Sequence, residues 1–163
     1  MKEVLLVLIF WFASGLLSFG YSAEGYKYVS ISSGSTIRLN TTDMKIVIDE
    51  HSVLAASGCV KKTGLQCIAS DGGSFVFPAR EIAEKMTWEF NGQKFSVSRK
   101  VRGQMLGVKY SGFIVQSRQG SEDYWYLISP EKGMLAFGAI AKSNTSTFVL
   151  EGRCGFAAAY DCK

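Results

Sequence analysis

The octapeptide Trp88-Glu89-Phe90-Asn91-Gly92-Gln93-Lys94-Phe95 restricts the fold of this chain more than any other stretch. Asn-Gly supplies the two positive φ angles of a type I′ turn, whose twist matches that of two flanking antiparallel strands. A two-residue turn leaves one register: Phe90 opposite Gln93, Glu89 opposite Lys94, Trp88 opposite Phe95. Strand side chains alternate between faces, so the aromatic residues and Val97 lie on one side and the charge pair on the other. A hairpin of this kind requires an apolar layer against one face and water against the other.

The rest of the chain repeats the pattern. Tyr26 to Ser32 and Ser35 to Asn40 alternate aromatic or β-branched residues with polar ones, Lys45 to Ile48 is β-branched, and Val108 to Tyr110 and Phe113 to Val115 resume the alternation. Tyr124 to Ile128, Met134 to Phe137 and Thr147 to Leu150 do the same. Only Ala79 to Met86, after Pro78, has helical spacing, with Ile82, Ala83 and Met86 on one face. Short strands, two prolines and one short helix predict an all-β, mainly antiparallel fold, a small barrel or sandwich with that helix packed over a sheet end.

The N-terminus predicts export. Val4 to Phe19 is apolar, interrupted by Ser14 and Gly15, and is short for a helix that must cross ~30 Å of hydrocarbon. Small residues follow at Gly20, Ser22 and Ala23, so residues 1–23 read as a signal peptide cleaved after Ser22 or Ala23. Residues 24–163 then form a single β-rich domain, periplasmic or secreted, that meets the membrane only through its signal. The signal holds one Lys and one Glu, so the net charge of +4 belongs to the mature domain.

Cys59, Cys67, Cys154 and Cys162 are an even set in an exported chain, which favours disulfides over metal. Three pairings are possible, and the equal short spacings favour Cys59 with Cys67 and Cys154 with Cys162. In the first interval Lys62-Thr63-Gly64 can form a three-residue hairpin loop with Gly64 left-handed, which places Cys59 opposite Cys67. Closing so short a loop contributes roughly 2.5 kcal/mol on the chain-entropy account. A zinc site would need tighter cysteine pairs and histidine partners, and His51 is the single histidine, so neither a metal nor another cofactor is expected.

No catalytic set stands out. His51 sits beside Asp49 and Glu50 at the end of a strand, as a surface histidine would. Asp43, Asp49, Glu50, Glu81, Glu84 and Glu122 offer carboxylates, but no spacing selects a pair. Ser70-Asp71-Gly72-Gly73-Ser74 is Gly-rich without the Lys-Ser/Thr of a phosphate loop, and reads as a turn.

The positive feature is electrostatic. Between Glu89 and Glu122 no acidic residue occurs, while Lys94, Arg99, Lys100, Arg102, Lys109 and Arg118 do. Tyr110, Tyr124, Trp125 and Tyr126 lie close by, and Tyr or Trp beside Arg commonly anchors an interface. Arg102, Lys109, Tyr110, Arg118 and Tyr124 are therefore the expected contacts with an acidic protein partner. Export argues against nucleic acid.

Gln104-Met105-Leu106-Gly107-Val108-Lys109-Tyr110-Ser111-Gly112-Phe113-Ile114-Val115, followed by Gln119-Gly120-Ser121-Glu122, resembles the central hairpin of the bacterial C-type lysozyme inhibitors, membrane-bound or periplasmic. In that family a Ser-Gly-x-x-Tyr motif and a downstream Lys-Gly loop enter the lysozyme cleft from a small β-barrel. Gly107 and Tyr110 match the motif. Leu106 stands where the family has Ser, and Gln119 where it has Lys, with Arg118 one position earlier. The resemblance implies a binding protein of the envelope, an inhibitor or immunity-type protein that blocks a cell-wall hydrolase or secreted toxin. An envelope enzyme or ligand-binding module using unassigned carboxylates is the alternative.

Overall fold

The computed structural model describes residues 25–59, 64–71, 73–79, 81–105, 107–140 and 145–159. The expected signal peptide lies outside them.

The described residues form thirteen strands in two antiparallel sheets. In chain order they are β1 (Tyr26–Ser30), β2 (Thr36–Asn40), β3 (Lys45–Ile48), β4 (Ser52–Ala55), β5 (Ser57–Gly58), β6 (Leu65–Ser70) and β7 (Gly73–Pro78). There follow β8 (Thr87–Phe90), β9 (Gln93–Met105), β10 (Val108–Gln119), β11 (Glu122–Ser129), β12 (Gly133–Ile140) and β13 (Thr145–Leu150). Ten of them pair in the order β4-β3-β2-β1-β13-β12-β11-β10-β9-β8, and β5-β6-β7 form the smaller sheet. The Asn91-Gly92 turn has φ of 49° and 76°, and Trp88 lies opposite Phe95 as the sequence requires.

The chain leaves the large sheet at one edge, β4, and rejoins it at the other, β8. The intervening β5–β7 sheet crosses the inner face between those edges. Ala56 N donates to Met44 O (2.9 Å) on one side and Trp88 Nε1 to Val76 O (2.9 Å) on the other. Tyr126 Oη donates to Ser74 O (3.2 Å) from the sheet between them. With β5–β7 laid across it the large sheet does not close on itself, and of the two expected architectures the sandwich is the one formed.

The core lies between the sheets. The inner face presents Tyr28, Leu39, Phe95, Val115, Tyr126 and Phe137, and the small sheet answers with Ile68, Phe75 and Phe77, all buried. Phe75 meets Phe137 edge-on (4.9 Å between centroids) and Phe77 meets Tyr126 similarly (5.5 Å). Each such pair contributes roughly 0.5–1.5 kcal/mol beyond the area it buries. Tyr28 adds a polar pin: its hydroxyl donates to Met134 O and accepts from Phe156 N, both at 3.0 Å.

One expectation is overturned. No helix occurs among the described residues, and of the stretch expected to be helical, Ala79 to Met86, the described residues 81–86 run as an irregular connector. Lys85 takes φ of +64°, which ends any right-handed helix, and Met86 N to Ala83 O (3.3 Å) closes a single turn. Ile82 is buried and Met86 packs on the core from this extended path, so a short segment gains its contacts without the cost of helix nucleation.

Cys59 and Cys67 form a disulfide, with Cα atoms 5.3 Å apart. Ser57 opposite Ala69 and Gly58 opposite Ile68 set the register expected for that pair, and Gly64 has the left-handed φ of 67°. Cys154 is also disulfide-bonded. Its expected partner, Cys162, lies outside the described residues, as do Lys62 and Thr63. Disulfides point to an oxidising compartment outside the cytoplasm.

Candidate functional site

Strands β9 and β10 are the longest in the molecule, at 13 and 12 residues, and outrun their neighbours. The last β8 pair is Thr87 with Ser96, and β10 meets β11 only from Phe113 onward. Among the described residues, 99–105 and 107–112 therefore form a two-stranded arm with no further strand paired to either edge. Gly107 at its tip has φ of +82°, a conformation that favours glycine.

Alternation sorts the arm into two faces. Val101, Met105 and Tyr110 pack against the core, and the Tyr110 ring lies over Gly103, its partner across the ladder. Met105 and Tyr110 also border a shallow crevice of about 50 Å³ shared with Lys132, Leu135, Leu150 and Arg153. The opposite face carries Lys100, Arg102, Gln104, Lys109 and Ser111, all exposed. Arg102 faces Ser111 and Lys109 faces Gln104, so the two cations are diagonal neighbours about 7–8 Å apart. Lys100 sits opposite Phe113 with its ammonium 5.9 Å from the ring centre. Among the described residues, none of these three cations has a carboxylate within ion-pair distance; the four ion pairs formed lie elsewhere.

The five sequence-predicted contacts do not share one surface. Arg102 and Lys109 lie together on the exposed face. Tyr110 lies on the other face, against its own domain. Arg118 and Tyr124 stand near the far end of β10, about 30 Å along the strand from Lys109. Arg118 is clamped there by Asp123, with Nε to Oδ1 at 2.7 Å and Nη2 to Oδ2 at 3.1 Å. That contact holds the exposed Asp123 carboxyl below its ordinary range. Tyr124 donates to Glu122 Oε2 (2.5 Å), and this bond, with partial burial, pushes its phenol up to about 12.

A second feature was not visible in the sequence. Between the sheets lies a cavity of about 180 Å³. Ile37, Ile46, Ile48 and Leu54 wall one side, and Phe75, Tyr126, Phe137 and Phe148 another. Ser70 and Gly73, at the base of the β6–β7 turn, reach into it together with Ala139 and Ser146. Among the described residues no charged side chain borders it. Ser70 Oγ is buried and has no hydrogen-bond partner among the described residues.

The other candidates have structural roles. Asp49 Oδ1 accepts from Thr36 N (2.7 Å), and Glu50 reaches Arg38 at 3.8 Å, which leaves His51 in an exposed turn. Among the described residues no group of three His, Cys, Asp or Glu side chains could hold a metal ion. No protein family, curated protein or solved structure matches the chain.

Proposed function

We propose that this is an exported binding protein, of inhibitor or immunity type, that blocks a cell-wall hydrolase or secreted toxin by docking on an acidic surface of it. The observation that carries the reading is the exposed face of the β9–β10 arm, where Lys100, Arg102 and Lys109 stand together without a carboxylate partner among the described residues. Uncompensated charge of one sign steers an oppositely charged partner and orients it on arrival. The disulfide supports an extracytoplasmic place of action, and the local resemblance to the lysozyme inhibitors falls on the same arm. Tyr110 packs on its own domain, so the cations and not an aromatic anchor supply the contact.

The test is capture of partners from envelope extracts with the mature domain, followed by kinetics with the captured protein. The association rate should fall as salt rises from ~0.1 M to ~1 M, where the Debye length drops from ~10 to ~3 Å. The double variant Arg102→Glu, Lys109→Glu should weaken binding by roughly 30-fold, or about 2 kcal/mol. Equal binding by parent and variant overturns the reading.

A further inference from the structure

We propose that the cavity between the sheets is a binding site for a small, uncharged, mainly apolar molecule of about one aromatic ring with a single hydrogen-bonding group, which Ser70 Oγ engages. The space of about 180 Å³ among Ile, Phe and Tyr side chains opens to solvent beside the exposed Gln119, so a small apolar molecule can enter it and bury its surface there. A dry apolar cavity of ~150 Å³ suffices to hold benzene.

Polar groups at the wall define the ligand further. Tyr126 Oη is committed to Ser74 O, and Tyr124 Oη to Glu122. Ser146 Oγ accepts from Ala139 N (3.4 Å). Gln119 also lines the space but is exposed to solvent, so Ser70 Oγ is left as the buried hydroxyl without a partner among the described residues. Buried hydroxyls in folded proteins nearly always find a partner, and one that lacks it beside a cavity points to a group brought in from outside. A hydroxyl or carbonyl on the ligand answers it. A charged group does not, because no counter-charge borders the space and its desolvation would go uncompensated.

The site is independent of the arm. The cations of the arm do not border the cavity, and a ligand could occupy it with or without a docked protein partner.

Phenol and benzene are the probes, titrated into the purified protein and followed by amide chemical shifts. Both should saturate shifts at cavity residues such as Phe75, Phe137 and Ser146, with phenol binding roughly five-fold tighter through Ser70. Ser70→Ala should abolish the preference for phenol and retain benzene. Ala139→Leu adds three carbons at the wall and should abolish both; if it fails to fold, Ile48→Phe fills the same space from the other side. Arg102→Glu with Lys109→Glu should change neither affinity, which separates this site from the docking face. Absence of saturable shifts at the cavity, or binding indifferent to both Ser70→Ala and the filling variant, overturns the proposal.

Discussion

The indole of Trp88 stacks on the ring of Phe95 across the β8–β9 hairpin, with centroids 5.5 Å apart and planes 2° from parallel. The stack holds edge strand β8 in register, and the same indole donates to Val76 O of the small sheet. The Asn91-Gly92 turn thus controls how β8 meets β7 as well as β9. Gly92→Val puts a β-branched residue at φ of +76°, a strain of roughly 1 kcal/mol or more. The melting temperature should fall by several degrees, and Trp88 fluorescence should report a loosened environment. An unchanged melting curve would show that the turn does not carry this strain.

Tyr28 should dominate behaviour at alkaline pH. Complete burial raises its phenol well above the ordinary value of ~10, and burial pushes Tyr126 up to about 12. A folded-state pKa above the unfolded one gives stability that is fully present below pH ~10 and lost as pH rises toward the folded value, because only the unfolded chain releases the proton readily. Denaturant midpoints should therefore be flat from neutral pH to about 9 and decline above about 10. Tyr28→Phe should flatten that decline. At neutral pH it should cost roughly 1–3 kcal/mol, since Met134 O and Phe156 N both lose their partner.

Ser70→Ala should stabilise the free protein by about 1 kcal/mol, because it deletes a buried hydroxyl with no partner and leaves the apolar wall intact. Thermal unfolding without added ligand measures this. A destabilised variant would mean that Ser70 Oγ satisfies its hydrogen bonds within the protein itself.

How far the sequence reaches is clearest where periodicity is clean. Asn91-Gly92 set the β8–β9 register, and the alternating runs from Tyr26 and Ser35 fell in β1 and β2. The hairpin at Cys59 and Cys67 located the start of β6, but the rest of β6 and all of β7 went unmarked, because Cys67 to Ala69 and Phe75 to Pro78 are buried at successive positions and show no period of two. The cavity went with them, since Ser70 and its neighbours in the wall, Gly73, Ser74 and Phe75, belong to that sheet. The helical spacing at Ile82, Ala83 and Met86 was real, but tertiary contacts bury Ile82 and Met86 without a helix. In the candidate interface, Lys109 and Tyr110 are neighbours in sequence and therefore lie on opposite faces of one strand. Asp123, one residue past the acid-free window, removes Arg118 from the unpaired set.

The Cys59–Cys67 link should be recovered as a single cross-linked peptide under non-reducing mass spectrometry. Replacing both by Ala should lower stability by roughly 2.5 kcal/mol. Register at Ser57 and Gly58 depends on a strand of two residues, so the loss should be concentrated there, with faster amide exchange in β5 before any in β11. Free thiols at both positions in the exported protein would contradict the assignment.

The last prediction separates the two ends of β10. Lys109 and Arg102 face solvent without a carboxylate partner, whereas Arg118 gives two hydrogen bonds to Asp123. A docked acidic partner gains the full charge of the first pair, but must displace Asp123 to use the third. Reversing Arg102 and Lys109 to Glu should therefore slow association and flatten its salt dependence, the effect expected when steering charge is removed. Arg118→Glu should change affinity by less than about three-fold, since an exposed and already compensated charge contributes little. Melting temperatures of all these variants should stay within a few degrees of the parent, because the side chains are exposed. A larger loss from Arg118→Glu than from the double reversal would move the docking surface to the β10–β11 turn and refute the assignment to the arm.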